Sequence, residues 1–282
     1  MASTDLVIQA PDIDTPQIKQ LARLAEADTV TALAAAGTQA FRLSPARQRA
    51  GVAELCAVAG IDFGFVPDDQ RLERVRLVAM DMDSTLISIE CIDEIADMRG
   101  IKPQIAAITE SAMRGEIDFR ESLKRRIALL AGLDMAALAR VYDERLKLSP
   151  GAERMLAGFA RVGAKTLLVS GGFTFFTDRL KARLGLDHAV ASTLDIADGR
   201  LTGRISGEIV DGEVKAAAFT RLARELKGEH GLVVAIGDGA NDLPLLRLAD
   251  VSVAYHAKPI VRAETTYAID YCGLDAILNL FT

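Results

Sequence analysis

The chain has 282 residues, of which 50% are hydrophobic and 26% are charged, and this composition suffices for one large folded domain or two smaller ones. It excludes intrinsic disorder as the starting expectation. The net charge of −6 and the absence of a long Lys/Arg block argue against a nucleic-acid backbone or an anionic membrane surface as the main partner.

The cysteines and the N-terminal residues indicate the cellular compartment in which the protein works. Cys56, Cys91 and Cys272 lie far apart without a CxxC pair, so we expect neither a disulfide framework nor a structural zinc site. The first residues, MASTDLVIQAPDID, lack the basic flank and long apolar stretch of a signal peptide. No apolar run approaches the roughly 18 residues of a membrane span. We therefore expect a cytoplasmic protein that does not contact membranes.

Residues 1–70 predict a small α+β domain. Its expected elements, in the order βαββαβ, are a strand at Leu6–Gln9, a helix at Pro16–Ala27, an apolar segment at Val30–Leu43, a helix at Ser44–Val58 and a strand at Asp62–Val66. The polar sequence Pro67-Asp68-Asp69-Gln70 then favours a linker. We therefore place a domain boundary near residue 70 and a second domain over residues 71–282.

The second domain predicts an α/β fold. Short apolar runs alternate with amphipathic helical stretches such as Lys215–Lys227, which is typical of a Rossmann-like parallel sheet flanked by helices. In such folds, ligands bind at the carboxyl ends of the strands. The expected strands are Leu77–Met80, Thr166–Val169, Leu232–Ile236, Val251–Tyr255 and Tyr267–Ile269.

Two segments interrupt this alternation. Residues 92–148 show helical periodicity without a strand, which predicts a helical insertion after the first strand of the domain. Residues 194–205 contain the dipeptide Asp198-Gly199, a signal for a β-hairpin turn.

Three of the predicted strands end in polar sequences. Because the carboxyl ends of parallel strands meet at one edge of a sheet, we expect these sequences to converge. They are Asp81-Met82-Asp83-Ser84-Thr85, Ser170-Gly171-Gly172 and Gly237-Asp238-Gly239-Ala240-Asn241-Asp242.

The acidic residues in these sequences predict a metal site. In an extended segment Asp81 and Asp83 point the same way, although such a pair alone is more often a helix cap and a solvated acid. Asp238 and Asp242 add two carboxylates, and four in one cleft repel one another unless a cation neutralises part of the charge. Oxygen ligands without Cys or His favour Mg²⁺.

Two further features are suited to binding an anion. The turn from Ser170 to Gly172 offers a hydroxyl and unobstructed backbone N–H groups, although it could be only a tight turn. Lys215 stands near the start of a predicted helix, where a cation opposes the helix dipole. It is either a solvated surface lysine or a ligand of a phosphate group.

These residues together resemble the four motifs of the haloacid-dehalogenase-like phosphatases. The motifs are DMDST at 81–85, the strand end at Ser170, Lys215 and GDGAND at 237–242, and the similarity covers most of residues 75–282. Within that superfamily the chain resembles the branch that acts on O-phospho-L-serine. The residues that match its helical substrate-recognition cap are Glu90, which precedes the predicted cap at about 92–148, and Met113, Phe119 and Arg126 within it.

The resemblance implies a role for each motif residue. Asp81 would be the nucleophile that forms an aspartyl phosphate, and Asp83 the general acid and base. Mg²⁺ would be held by the Asp81 carboxylate, the Asp83 backbone carbonyl and Asp238. The phosphoryl group would contact Ser170, Gly171, Lys215 and Asn241, with Asp242 and Thr85 as supporting residues.

The implied substrate carries an ammonium and a carboxylate besides its phosphate. Glu90 suits the ammonium, and Arg126 suits the carboxylate through bidentate pairing. The alternatives are a first-turn helix acid for Glu90 and a solvated basic run for Arg126. Met113 and Phe119 would close over the substrate, although at helical spacing they could be ordinary core residues.

The expected reaction is therefore hydrolysis of O-phospho-L-serine to L-serine and phosphate, the last step of serine biosynthesis. One alternative is a related phosphatase or phosphotransferase for another small phosphorylated amino acid, such as phosphohomoserine. A more distant one is a regulatory switch that keeps a phosphate on Asp81. The βαββαβ order of residues 1–70 resembles ACT-type amino-acid-binding modules, which implies feedback by L-serine or a homodimer contact.

Overall fold

The computed structural model describes residues 4–34 and 37–282. The strands in these residues are β1 Thr4–Ala10, β2 Thr29–Ala32, β3 Gln39–Ser44, β4 Asp62–Pro67, β5 Val75–Met80, β6 Lys165–Phe173, β7 His188–Ala197, β8 Arg200–Ser206, β9 Leu232–Gly237, β10 Val251–Tyr255 and β11 Tyr267–Ile269. The helices are α1 Thr15–Leu24, α2 Val52–Ala59, α3 Cys91–Met98, α4 Lys102–Met113, α5 Phe119–Ala128, α6 Met135–Arg140, α7 Ala152–Arg161, α8 Thr174–Leu184, α9 Gly212–Leu226, α10 Leu243–Leu246 and α11 Pro259–Arg262.

The chain forms two compact units. The first comprises Met1–Val78, Ser149–Lys165 and Leu222–Thr282, and the second comprises Ala79–Leu148 and Thr166–Arg221. Residues 1–70 therefore lie wholly within the first unit. The predicted domain boundary near residue 70 stays a prediction.

The first unit begins with an antiparallel sheet of strand order β2-β3-β1-β4. The central strand β1 pairs Leu6 with Leu43 of β3 and with Phe65 of β4. Leu6 and Leu43 are fully buried in a core that α1 and α2 complete. The order βαββαβ predicted for this region is confirmed.

Two predicted elements of this region differ from the structure. The helix predicted from Ser44 begins instead at Val52, because Ser44 is still paired with Thr29 in the sheet. The chain turns into α2 at Gly51, which has a φ of +77°, a backbone conformation that glycine adopts at little cost. The predicted apolar segment Val30–Leu43 consists of parts of β2 and β3, and its residues 35 and 36 lie outside the described residues.

The first unit also contains the parallel strands β11, β10 and β9, which are neighbours in this order. β10 is parallel to β9 on one side and to β11 on the other, and each of its five residues is buried. Such continuous burial explains the apolar sequence of this strand, as expected for a sheet covered on both faces. The predicted strands at β10 and β11 are confirmed at both ends.

The second unit contains β6, β7 and β8, which are neighbours in this order. β6 and β7 are parallel, whereas β7 and β8 form an antiparallel hairpin. Asp198 and Gly199 connect the hairpin with φ values of 50° and 74°, the backbone of the turn that the dipeptide predicted. β6 runs beyond the predicted end at Val169 as far as Phe173, because a register shift lets it rejoin β7 there.

Helices α3 to α6 occupy the segment that was predicted to be a helical insertion. Helix α5 begins at Phe119, and Asp118 caps it by accepting a hydrogen bond from the Glu121 amide at 2.8 Å. Its buried face includes Leu123 and Ile127. Among the described residues, none of the helices combines the length and the apolar character that a bilayer crossing requires.

A buried carboxylate ties the N-terminal sheet to the C-terminal part of the first unit. Asp62 of β4, only 3% exposed, accepts backbone hydrogen bonds from Asp270 at 2.7 Å and Cys272 at 2.9 Å. The Tyr271 amide donates to the same carboxylate at 3.1 Å. Burial raises the pKa of Asp62 although these three donors favour its charged form. Asp62 thus satisfies three consecutive backbone amides with one buried carboxylate.

We expect Asp62→Ala to lower the free energy of unfolding by about 3 kcal/mol, because it leaves three backbone amide donors without their acceptor and one of these bonds is buried. Chemical denaturation of both proteins measures this difference. Asp68→Ala is the control, since Asp68 is an exposed acid in the same part of the chain. Equal stability of the two variants would contradict the role given to Asp62.

Candidate active site

A buried ion pair lies at the end of β5. The Lys215 Nζ donates to the Asp81 Oδ1 at 2.7 Å, and the two residues are only 1% and 6% exposed. Lys215 stands in the first turn of α9, which begins at Gly212. Its burial excludes the reading of Lys215 as a solvated surface lysine. The Lys215 ammonium, which donates to Asp81, can also bind a second anion that lies close to it, because its positive charge attracts both groups.

Asp83 lies in the turn that follows β5. Its Oδ1 accepts a hydrogen bond from the Cys91 amide at 2.9 Å. Burial and the nearby Glu90 raise the pKa of Asp83 to about 7, although the Cys91 amide and Lys215 oppose the shift. A carboxyl with this pKa can both give and take a proton near neutral pH, as a general acid and base must.

The end of β6 lies against this turn. The Gly172 amide donates to Ser170 Oγ at 2.9 Å. A Cβ at Gly172 would stand 2.9 Å from Asp83 Oδ2 and 3.0 Å from Ser170 Oγ, closer than side chains normally approach. The absence of a side chain at this position therefore allows β6 to approach Asp83.

Gly171 is covered by a helix of the predicted insertion. A Cβ there would stand 2.8 Å from Phe119 Cζ and 3.3 Å from the backbone oxygen of Val210. Phe119 therefore lies against the Ser170–Gly172 segment, and its predicted closure over the substrate stays a prediction. Met113 lies in the last turn of α4 with 66% of its surface exposed, and its contact with substrate stays a prediction.

Glu90 and Arg126 lie beside Asp83 in the same unit. The Ser84 hydroxyl donates to Glu90 Oε1 at 2.7 Å. Burial lowers the pKa of Arg126, while the nearby carboxylates of Asp93, Glu90 and Asp83 act in the opposite direction. The Arg126 Nε is buried and has no hydrogen-bond partner within residues 4–34 and 37–282. A desolvated guanidinium with a donor to spare is suited to a carboxylate of a ligand.

The predicted motif at residues 237–242 follows β9 in the first unit. Asp242, which is fully buried, accepts hydrogen bonds from the amides of Asp238 at 3.2 Å and Gly239 at 3.1 Å. The Asn241 side chain donates to Asp242 Oδ1 at 3.3 Å. Asp242 therefore shapes the loop that presents Asp238, which is half-buried. The supporting roles of Asp242 and Thr85 stay predictions, and Thr85 is fully buried in the turn after β5.

Three contributors to the site were not predicted from the sequence. They are the Ser84 hydroxyl, the Cys91 amide and the close approach at Gly172. The dipeptide Gly171-Gly172 indicated a turn, but nothing in the sequence showed which atoms lie close to Gly172. Ser84 has a φ of 56°, a backbone conformation that its residue type does not predict.

Comparisons with known proteins agree with this geometry. The family model of the haloacid dehalogenase-like hydrolases matches residues 78–247, and that of a domain of unknown function, DUF4072, matches residues 6–52. A curated phosphoserine phosphatase from Polaromonas sp. (strain JS666) is 49% identical over 226 residues, which cover 78% of this chain and 96% of the relative.

Two solved structures resemble nearly the whole chain. A HAD family hydrolase from Salmonella enterica serovar Typhi has a TM-score of 0.87 at 36% identity, over 98% of each chain. A probable phosphoserine phosphatase from Vibrio cholerae, in unliganded form, has a TM-score of 0.85 at 33% identity, over 98% of this chain and 85% of that chain. The chain belongs to the haloacid dehalogenase-like hydrolase family, and it is an enzyme of the phosphatase type.

Proposed function

We propose that this hydrolase converts O-phospho-L-serine and water to L-serine and phosphate, through an aspartyl phosphate on Asp81. The observation that carries the chemistry is the buried Asp81 carboxylate held 2.7 Å from Lys215 Nζ. The substrate is supported by the phosphoserine phosphatases that the chain resembles and by the charges of Glu90 and Arg126.

In the first step, an Asp81 oxygen forms a bond to phosphorus while the bond from phosphorus to the seryl oxygen breaks. Asp83 gives its proton to that oxygen, and L-serine leaves. In the second step, Asp83 takes a proton from water as the water oxygen attacks phosphorus. The bond between phosphorus and the Asp81 oxygen then breaks, so that phosphate is released and the Asp81 carboxylate is restored.

A divalent metal is general in the phosphatases of this family, and we propose Mg²⁺ as the ion. The donors present fit it, because carboxylate and carbonyl oxygens are the ligands that Mg²⁺ prefers. The Asp81 and Asp238 carboxylates and the Asp83 backbone carbonyl would hold the ion. It would neutralise negative charge on the carboxylates and on the transferring phosphoryl group.

The remaining residues would bind and orient the substrate. Ser170 Oγ, the Gly171 amide and Lys215 would donate to the phosphoryl oxygens, and Asn241 would lie beside them. Glu90 would bind the ammonium of serine. The carboxylate of the bound substrate would pair with Arg126, whose Nε has no partner in the described part of the chain. Phe119 and Met113 would exclude water from the covered substrate.

We expect Asp81→Asn to lower kcat for O-phospho-L-serine by at least about 10⁴-fold, because an amide does not act as the nucleophile. Phosphate release is measured with Mg²⁺ and with EDTA, and EDTA should abolish wild-type turnover until Mg²⁺ is restored in excess. O-phosphohomoserine and phosphothreonine are assayed in parallel. Faster release from either, compared with O-phospho-L-serine, would contradict the substrate assignment. Turnover by a folded Asp81→Asn variant would contradict the nucleophile.

We expect Arg126→Met to lower kcat/KM for O-phospho-L-serine by about 100-fold, because the buried carboxylate of the substrate loses its charged partner. Methionine keeps the apolar stem, so packing changes little. Hydrolysis of p-nitrophenyl phosphate, which has no carboxylate, should change by less than about three-fold under this assignment. Arg125→Met is the matched control, since Arg125 is half-exposed on the same helix and pairs with Glu121. Equal losses with the two substrates would show that Arg126 does not bind the carboxylate.

For residues 1–70 we propose an ACT-like module that binds L-serine as a feedback ligand or forms a homodimer contact. The βαββαβ order and the antiparallel sheet β2-β3-β1-β4 support it. Calorimetry with L-serine and with D-serine measures binding of the feedback ligand. Light scattering of the full chain measures whether it forms a homodimer. A monomer that binds L-serine only in competition with substrate would refute the proposal.

We also propose that the protein works in the cytoplasm. Its cysteines, Cys56, Cys91 and Cys272, are buried free thiols, which suit a reducing compartment. Fractionation of cells that produce the untagged chain measures its location. Recovery outside the cytoplasmic fraction would contradict this assignment.

A further inference from the structure

An ion pair outside the proposed catalytic set joins the helical insertion to the helix that carries Lys215. Arg120, the second residue of α5, donates from Nε to Asp211 Oδ2 at 2.5 Å. Asp211 directly precedes α9. The two residues are 91 positions apart in the chain, so the contact arises from tertiary structure.

Asp211 is bound firmly to the start of α9. Its Oδ1 accepts a hydrogen bond from the Val214 amide at 3.0 Å, and its backbone oxygen accepts one from the Lys215 amide at 2.9 Å. These bonds satisfy amides that the first turn of a helix otherwise leaves unpaired. Although partial burial opposes the charge of Asp211, its bonds to Arg120 and Val214 hold its pKa below the usual range. Any group that fixes Asp211 therefore also fixes the turn that contains Lys215.

A second contact lies beside the ion pair. Phe119, which directly precedes Arg120, covers Gly171. The backbone oxygen of Val210, which directly precedes Asp211, also lies close to Gly171. Two consecutive residues of α5 thus meet the segment that leads into α9 and the end of β6. One of the contacts is apolar and the other is ionic.

The other ion pairs of α5 and of the end of α4 are local. Arg125 pairs with Glu121, and Arg114 pairs with Glu110 and Glu116, all within four positions of one another. Such pairs stabilise a single helix or its end by small amounts. Arg120 differs from them because its partner belongs to a distant segment of the chain.

We propose that Arg120 and Asp211 are a positioning pair that holds the N-terminus of α5 against the start of α9. The pair keeps Phe119 over Gly171 and brings Arg126, on the same helix, to the substrate. It acts through these residues and does not touch the reacting atoms. The kinetic part of this inference rests on the proposed hydrolysis of O-phospho-L-serine.

The test uses the full chain with Mg²⁺ in about 0.02 M and about 0.5 M salt, because a half-exposed ion pair is screened by salt. We expect Arg120→Ala to raise KM for O-phospho-L-serine about two- to five-fold at low salt and to leave kcat within about two-fold. At high salt the difference from wild type should shrink. Arg120→Lys should restore part of the loss, because an ammonium can still pair with Asp211.

Two further variants separate this role from general stability. Asp211→Asn keeps an acceptor for the Val214 amide but removes the charge, so it should behave like Arg120→Ala. The double variant should be no worse than either single variant, because both remove the same interaction. Arg125→Ala removes a similarly exposed arginine from the same helix and should leave KM unchanged. An Arg120→Ala variant with the KM of wild type, or with a KM change that salt does not reduce, would overturn the proposal.

Hydrogen exchange provides a measurement that does not depend on the reaction. Amides of residues 115–121 should exchange faster in Arg120→Ala than in wild type and in Arg125→Ala, without any substrate present. If wild type releases no phosphate from O-phospho-L-serine but this difference is found, the proposed substrate fails and the positioning pair stands. Equal exchange in the three proteins would refute the pair, whatever the substrate.

Discussion

The ion pair between Lys215 and Asp81 is the constraint on which the rest of the site depends. Both side chains are almost fully buried, and removing one partner from such a pair leaves an uncompensated charge at a cost of roughly 3–5 kcal/mol. The chain must therefore bring the start of α9 to the end of β5 with little tolerance. The bonds of Asp211 to the first turn of α9 serve this requirement, since they fix the turn from which Lys215 projects.

The environment of Asp83 differs from that of Asp81, and it gives the Asp83 carboxyl different properties. Burial and the nearby Glu90 raise the pKa of Asp83, whereas Asp81, two positions earlier in the chain, is paired with the Lys215 ammonium. Two carboxyl groups in similar sequence positions thereby acquire different properties. The proposed division into a nucleophile and a proton carrier rests on this difference in environment.

The sequence allowed prediction of most elements from β5 onward, because buried parallel strands are short apolar runs with polar ends. It located β10 and β11 correctly, and it placed the hairpin turn at Asp198 and Gly199. It was wrong at the start of α2. Helical periodicity in Ser44–Val58 did not reveal that Ser44 pairs with β2, and such pairing depends on a strand that lies elsewhere in the chain.

By itself, the sequence determined the candidate site residues, since Asp81, Ser170 and Asp238 each follow an apolar run that predicts a strand and Lys215 stands at the start of a predicted helix. Only the tertiary structure decided that Lys215 is buried, that Gly172 must lack a side chain, and that Arg120 meets Asp211. The physical reason is that burial and close approach are properties of segments distant in the chain, whereas sequence patterns report the periodicity of one segment at a time.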